Sequence, residues 1–125
     1  MLDMTDQELN RALAEFMGYR LQTLEFDDIY YSVANPHGFP GPYRYTVDDA
    51  FLCAAPEYSS DPAASLEVQA VACEVHPNTY IRYLEKIKWG QSTGWKVSNR
   101  VVAQLCNASP RERAEAAYLT LSIKD

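Results

Sequence analysis

The chain has 125 residues, of which 47% are hydrophobic and 22% are charged, and its formal net charge is −6. These values argue against extensive disorder and suit one globular domain, residues 1–125. Apolar runs are far too short for a membrane-spanning helix, and the acidic start of the chain does not resemble a signal peptide. The sequence therefore predicts no membrane association and a location in the cytoplasm.

The first predicted element is a helix over about residues 5–17. Thr5 and Glu8 have the spacing of a capping box, and the apolar residues that follow recur at helical intervals up to Gly18, which favours a left-handed end. Two segments rich in β-branched and aromatic residues come next, Tyr19–Leu24 and Ile29–Val33, with acidic residues between them. This pattern predicts a hairpin.

Proline and glycine dominate residues 35–42, so we expect a loop there. A short return to strand at Tyr43–Val47 and a short helical turn at Asp48–Cys53 follow. Asp61 then precedes a proline, as a capping residue does at a helix start, and a second helix is predicted from there to Val75, where Pro77 stops it.

The last third of the chain predicts a second hairpin and a closing helix. Thr79–Ile87 and Trp95–Leu105 both alternate between apolar and polar residues, with a glycine-containing turn between them. Ser109, Pro110 and Glu112 form a second capping box at the start of the closing helix. The predicted fold is therefore α+β, in the order α-β-β-α-β-β-α, with a four-stranded antiparallel sheet made from two hairpins and helices packed on the sheet.

The three cysteines, Cys53, Cys73 and Cys106, are odd in number, widely spaced and contain no CxxC pair. They indicate small buried residues in a reducing compartment and not a disulfide frame or a zinc site. Motifs of nucleotide, metal and serine-nucleophile enzymes are missing from the sequence. We therefore expect a protein that is not an enzyme and that needs no cofactor and no metal.

Three stretches of the chain resemble the phage α-β-α sandwich family, which comprises small proteins of phages and prophages. They are the opening Met4–Asn10 with Ala14 and Gly18-Tyr19, the segments Pro56–Asp61 and Ala63–Val68, and the tail Ala108-Ser109-Pro110 with Ala114, Ala116-Ala117 and Leu119. Pro62 and the segment Asn35–Tyr43 depart from the pattern of the family. The family has no assigned catalytic residues, so the resemblance implies only a setting. That setting is a phage accessory protein acting in the cytoplasm of an infected bacterium, often against host defence.

Charge is distributed unevenly along the chain. Residues 1–79 hold 13 acids and 3 bases, whereas residues 80–125 hold 8 bases and 4 acids. A chain that is acidic overall is not expected to bind nucleic acid directly, because attraction to phosphate dominates such binding. The basic part can instead face a small anionic ligand, or the acidic part of another copy in a homo-oligomer.

The leading hypothesis is that the basic part binds and sequesters a small anionic, nucleotide-like signal of host defence. Arginine can bind phosphate with two parallel hydrogen bonds, and aromatic rings can stack on bases. Two arginines in the first turn of the last helix either form a phosphate site with the free amides or reach acids such as Asp27, Asp28 or Asp61. The predicted contacts are Arg82, Trp95, Arg100, Arg111 and Arg113.

The alternative hypothesis is a protein–protein inhibitor, such as an anti-CRISPR protein or a nuclease inhibitor. Its acidic surface would imitate nucleic acid and dock on a basic host defence protein. Adjacent acids can also bind a cation or act as acid and base, but solvated acids in turns explain them more simply. The acids expected to contact the partner are Asp27, Asp28, Asp48, Asp49 and Asp61.

Overall fold

The computed structural model describes residues 2–90 and 99–123, which fall into two compact units. One unit is Met4–Glu57, and the other holds the described residues from Tyr58 onward together with the start of the chain. That the chain forms one domain stays a prediction. The elements in chain order are α1 (Asp6–Phe16), β1 (Arg20–Glu25), β2 (Ile29–Ala34), α2 (Val47–Ala54), α3 (Pro62–Val75), α4 (Pro77–Trp89), α5 (Asn99–Cys106) and α6 (Pro110–Leu121).

Helix α1 begins at the predicted capping box. The Glu8 amide donates to the Thr5 hydroxyl at 3.1 Å, and the Thr5 amide donates to the Glu8 carboxylate at 3.3 Å. Two free amides at the helix start are thereby satisfied. The helix buries Leu9 and Leu13 on its apolar stripe, and Gly18, with a φ of 102°, lets the chain turn into β1. The predictions for this segment are confirmed.

The first hairpin is also confirmed. Strands β1 and β2 pair antiparallel, from Arg20 opposite Ala34 to Glu25 opposite Ile29. Beyond β2, an Asx turn shapes the loop, because the side chain of Asn35 accepts from the amides of His37 and Phe39. The chain then returns along the outer side of β2.

The second unit is helical in its described part. Asp61 caps α3 by accepting from the Ala63 amide at 3.0 Å, and α3 ends at Val75, as predicted. The predicted capping box of α6 is present, with the Glu112 amide donating to the Ser109 hydroxyl at 3.1 Å. Helix α6 contacts both α3 and α4, and its buried alanines let these helices approach closely.

The predicted second hairpin, and with it the four-stranded sheet, is wrong. Thr79–Ile87 lies within α4, and residues 99–105 lie within α5, so the only sheet in the described residues is the pair β1–β2. Tyr80 and Leu84 are both buried, and their interval of four residues fits one face of a helix as well as one face of a strand. Pro77 not only follows α3 but is also the first residue of α4, a position that favours proline.

A smaller correction concerns the cysteines. Cys53 and Cys106 are exposed, contrary to the expectation of burial, and Cys73 is half-buried; all three are free thiols.

In residues 2–90 and 99–123, no helix combines the length and the apolar character that a membrane span requires.

Candidate functional site

The tip of the hairpin and the chain beside β2 form an exposed aromatic surface in the unit Met4–Glu57. Tyr31 exchanges backbone hydrogen bonds with Arg44, at 2.7 and 2.8 Å, which places the segment 43–45 along β2 like a short third strand. Successive side chains alternate between the faces of a sheet, so Tyr43 and Tyr45 lie on the same face as Tyr30. The rings of Tyr30 and Tyr45 are 5.1 Å apart.

This surface is exposed to a degree that aromatic and large apolar side chains seldom show. The exposed fraction is 76% for Phe26 and 69% for Tyr45, and Ile29 and Tyr43 are about half exposed. Phe26, Asp27, Tyr30 and Tyr43 line a shallow depression of about 360 Å³. We call this the hairpin surface; it consists of Phe26, Asp27, Asp28, Ile29, Tyr30, Tyr43 and Tyr45.

Acidic side chains edge the hairpin surface. Asp27 and Asp28 lie in the turn between the strands, separated from Glu25 only by Phe26, and all three acids are exposed. A hydrogen bond with Tyr30 is the main cause that raises the pKa of Tyr45, and the negative charge of Asp28 adds to the effect. An apolar centre with a charged edge is the usual composition of a protein-binding surface.

The other predicted acids do not join the turn. Asp48 and Asp49 lie in the first turn of α2, where the helix dipole favours negative charge, and Thr46 caps that turn by accepting from the Asp49 amide. Asp48 also lies 3.8 Å from the guanidinium of Arg11. Asp61 is the cap of α3 in the other unit. Only Asp27 and Asp28 of the predicted acidic contacts therefore lie together on the hairpin surface.

The predicted anion contacts are spread over different environments. Arg113 is buried, and its guanidinium donates to the hydroxyl of Ser65 at 2.9 Å and to the carbonyl of Ala108. Arg111 donates to the buried carboxylate of Glu115, one helical turn away on α6, at 2.7 Å. Both arginines thus make contacts within their own unit, and the acid that Arg111 reaches belongs to its own helix.

Arg82 is the predicted anion contact that remains on an exposed face. It lies on α4 one turn before Lys86, and the ammonium of Lys86 is 5.9 Å from the centre of the Tyr83 ring. Arg82 also lines a pocket of about 460 Å³ bounded by α3, α4 and α5, whose wall includes Tyr80 and Leu105. Arg100 falls within α5, its side chain is outside the described part, and Trp95 lies outside the described residues altogether.

Residues of the hairpin surface other than the two acids were missed by the sequence reasoning. The pattern Tyr43-Arg44-Tyr45 alternates and follows a proline, which is a pattern typical of a short edge segment. In the part of the chain that the structure describes, no three acidic, histidine or cysteine side chains gather in a way that could hold a metal.

Comparison of the chain with protein-family models, with curated proteins and with solved structures gives no match in any of the three. The resemblance to the phage family thus stays a prediction from the sequence.

Proposed function

We propose that the protein is a binding protein without enzymatic activity that docks on a basic protein partner through the hairpin surface. The observation that supports this proposal is the exposure of Phe26 and Tyr45 beside an acidic turn. Contiguous exposed apolar surface with a polar edge is typical of interaction sites, and tyrosine is enriched among the residues that dominate binding energy.

The acidic turn gives the proposal a preference for the partner's charge. Glu25, Asp27 and Asp28 would speed association with a positively charged surface and would repel acidic ones. A nuclease or CRISPR effector, whose nucleic-acid channel is basic, fits that preference and agrees with the phage setting that the resemblance implies. Inhibition would follow from occupation of the channel.

The test is a pulldown with the tagged protein from a lysate of its own host, followed by a binding titration with the partner recovered. We expect Phe26→Ser with Tyr45→Ser to weaken binding at least about a hundredfold, since aromatic contacts at an interface centre contribute about 2 kcal/mol each and about 1.4 kcal/mol corresponds to a factor of ten. Asp27→Lys with Asp28→Lys should slow association and reduce its dependence on salt.

Leu66→Ser on α3 is the matched control, because Leu66 is also an exposed apolar side chain, at 49%, and lies in the other unit. Its variant should bind like the unchanged protein. Equal binding by the Phe26→Ser, Tyr45→Ser variant and by the Leu66→Ser variant would overturn the proposal.

A second candidate function is sequestration of a small anionic ligand at α4, favoured by the pocket of about 460 Å³ beside Arg82. Pockets of this size suit small ligands, and a single cation can orient an anionic group. Calorimetric titration of about 100 μM protein with cyclic nucleotides and ADP-ribose derivatives should give heat that Arg82→Gln removes. The absence of heat with all of these compounds would rule this function out.

A further inference from the structure

The outer edge of β1 carries unpaired backbone groups. Both backbone groups of Tyr31 bond to Arg44, so they point away from β1. Tyr31 is directly opposite Thr23. In an antiparallel pair, opposite residues either exchange both hydrogen bonds or point both sets of groups outward. The N–H and C=O of Thr23 therefore point to the free side of β1.

The same alternation places the backbone groups of Leu21 and Glu25 on that free side, while Gln22 and Leu24 bond to β2. Within residues 2–90 and 99–123, no hydrogen bond to these outward groups of Leu21, Thr23 and Glu25 is present. Five of the six side chains of β1 are exposed. The strand contains no proline and no bulge, the usual features that protect an edge from pairing.

We propose that β1 pairs antiparallel with β1 of a second copy of the chain, across a two-fold axis at Thr23. This pairing goes beyond the proposed function and uses the free edge of β1, on the opposite side of the hairpin from Tyr43 and Tyr45. It shares only Phe26 and Asp27 with the hairpin surface, so Thr23→Pro, which changes neither residue, separates the two proposals. It forms one sheet across the two copies, in the order β2-β1-β1-β2, and its interface is of the kind in which each copy contributes the same surface.

The outward groups determine the register. With Thr23 opposite Thr23, Leu21 of each copy is opposite Glu25 of the other, so all three outward residues exchange both of their hydrogen bonds. If the two-fold axis is moved by one residue to Gln22, Glu25 lies opposite Tyr19, which is outside β1 and whose amide is already bonded to the Ala14 carbonyl at 3.0 Å. If the axis is moved to Leu24, Leu21 lies opposite Asp27, which is also outside β1.

Charge favours a second copy over a foreign strand. Each β1 begins with the basic Arg20 and ends at the acidic turn, so antiparallel pairing places the base of one copy at the acids of the other, twice per dimer. In this register Arg20 lies opposite Phe26 of the second copy and between Glu25 and Asp27. The Arg20 guanidinium donates to the carbonyls of Glu15 and Tyr19 in its own copy, both at 3.2 Å, and on pairing it would contact the ring and the carboxylates there. A basic foreign strand would instead meet Arg20 unfavourably.

Sedimentation equilibrium at about 10 μM to 1 mM, the range expected for an interface made mainly of strand hydrogen bonds, tests the pairing. We expect the mean mass to rise from 14.1 kDa toward twice that value with concentration. Thr23→Pro should stay monomeric, because proline removes the outward N–H and leaves the bonds between β1 and β2 intact. Thr23→Val keeps the N–H and should dimerise like the unchanged protein.

A charge exchange gives a second test that does not need the proline variant to fold. Arg20→Glu alone and Asp27→Lys alone should each weaken the dimer at least fivefold, whereas an equimolar mixture of the two variants should regain it. In addition, the amides of Leu21, Thr23 and Glu25 should become protected from hydrogen exchange with increasing concentration, and those of Gln22 and Leu24 should not change. A monomer at 1 mM, or a folded Thr23→Pro variant that dimerises normally, would overturn the proposal.

Discussion

Arg113 makes contacts in the structure that its position in the sequence does not reveal. Its position in the first turn of α6 opposes the helix dipole, which suggested a bound anion. In the structure its guanidinium is buried and instead connects α6 to Ser65 of α3 and to the carbonyl that precedes the helix cap. Charged hydrogen bonds of this kind are stronger than neutral ones, so the unfavourable position at the helix start is offset by tertiary contacts.

We expect Arg113→Met to lower the free energy of unfolding by about 2–4 kcal/mol, because it removes two charge-assisted hydrogen bonds and leaves the Ala108 carbonyl without this buried donor. The Ser65 hydroxyl keeps its hydrogen bond to the Pro62 carbonyl at 2.8 Å. Urea denaturation monitored by circular dichroism measures this change. Arg82→Met, on the exposed face of α4, is the control and should cost less than about 1 kcal/mol. Equal losses for the two variants would contradict the structural role of Arg113.

Tyr80 is a buried phenol whose ionisation should limit stability in alkali. Its hydroxyl lies 2.7 Å from the Oε1 of Gln69, and burial is the main cause that raises its pKa far above the ordinary value. The unfolded tyrosine ionises near pH 10 whereas the folded one stays neutral. The contribution of Tyr80 to stability is therefore complete below about pH 10 and declines as the pH rises above that value.

Urea midpoints measured from about pH 8 to pH 11 should show this decline, and Tyr80→Phe should make it shallower. The exposed Tyr43 provides the comparison, because Tyr43→Phe should leave the decline as it is in the unchanged protein. A decline that is the same with and without Tyr80 would show that other groups cause it.

At the scale of elements, the helix ends were the easiest features to predict. The capping boxes at Thr5 and Ser109 and the aspartate–proline start at Asp61 all depend on contacts between residues a few positions apart. The prediction of the second hairpin was wrong because the alternation over Thr79–Ile87 was interpreted as a strand, although the interval between Tyr80 and Leu84 fits a helix equally well. Short apolar segments fit both periods, and only the partner surfaces in α3 and α6 select the helix.

The segment beside β2 depends on the absence of a side chain at Gly41. Its amide donates to the Val33 carbonyl at 2.9 Å, and its carbonyl accepts from the Ser32 hydroxyl at 2.8 Å. A Cβ at this position would lie 2.9 Å from the Val33 oxygen and 3.1 Å from the Cβ of Ala54. The close approach that brings Tyr43 and Tyr45 beside Tyr30 therefore requires glycine.

We expect Gly41→Ala to cost about 1–3 kcal/mol and to weaken the contact between Tyr30 and Tyr45, because the segment must move away from β2. Amide hydrogen exchange should show lost protection at Arg44, whose amide bonds to Tyr31. In Gly38→Ala the backbone is strained, at a φ of 89°, but no atom lies near the new Cβ. That variant should lose stability and keep the protection at Arg44, which separates the two effects.

At the scale of the whole molecule, the two units differ in the charges that they carry. Met4–Glu57 contains nine acids and three bases, and it also contains the hairpin surface and the free edge of β1. The basic residues of the other unit that the structure describes include several that bond to acids of the same unit, such as Arg111 to Glu115 and Lys88 to Glu112. The uneven charge of the chain thus favours interaction through the acidic unit.

The replacement of the second hairpin by helices has a simple spectroscopic consequence. Helices α1–α6 cover roughly half of the chain, more than the third that is usual for soluble domains. We therefore expect a far-ultraviolet circular dichroism spectrum dominated by helix. A spectrum with helix near a quarter of the residues and a strong strand component would agree with the fold expected from the sequence pattern. It would contradict the helical structure of the segments α4 and α5.

The sequence by itself determined the features that depend on neighbours along the chain: the caps of α1, α3 and α6, the first hairpin, and the acidic turn at Asp27 and Asp28. Only the tertiary structure decided the rest. Residues 79–89 form a helix because α3 and α6 pack against the side of α4 that holds Tyr80 and Leu84. Arg113 is buried because Ser65 of a distant helix accepts its hydrogen bond, and Tyr45 lies beside Tyr30 because Gly41 permits close packing on β2. Each of these outcomes depends on a contact between residues far apart in sequence, which local periodicity does not reveal.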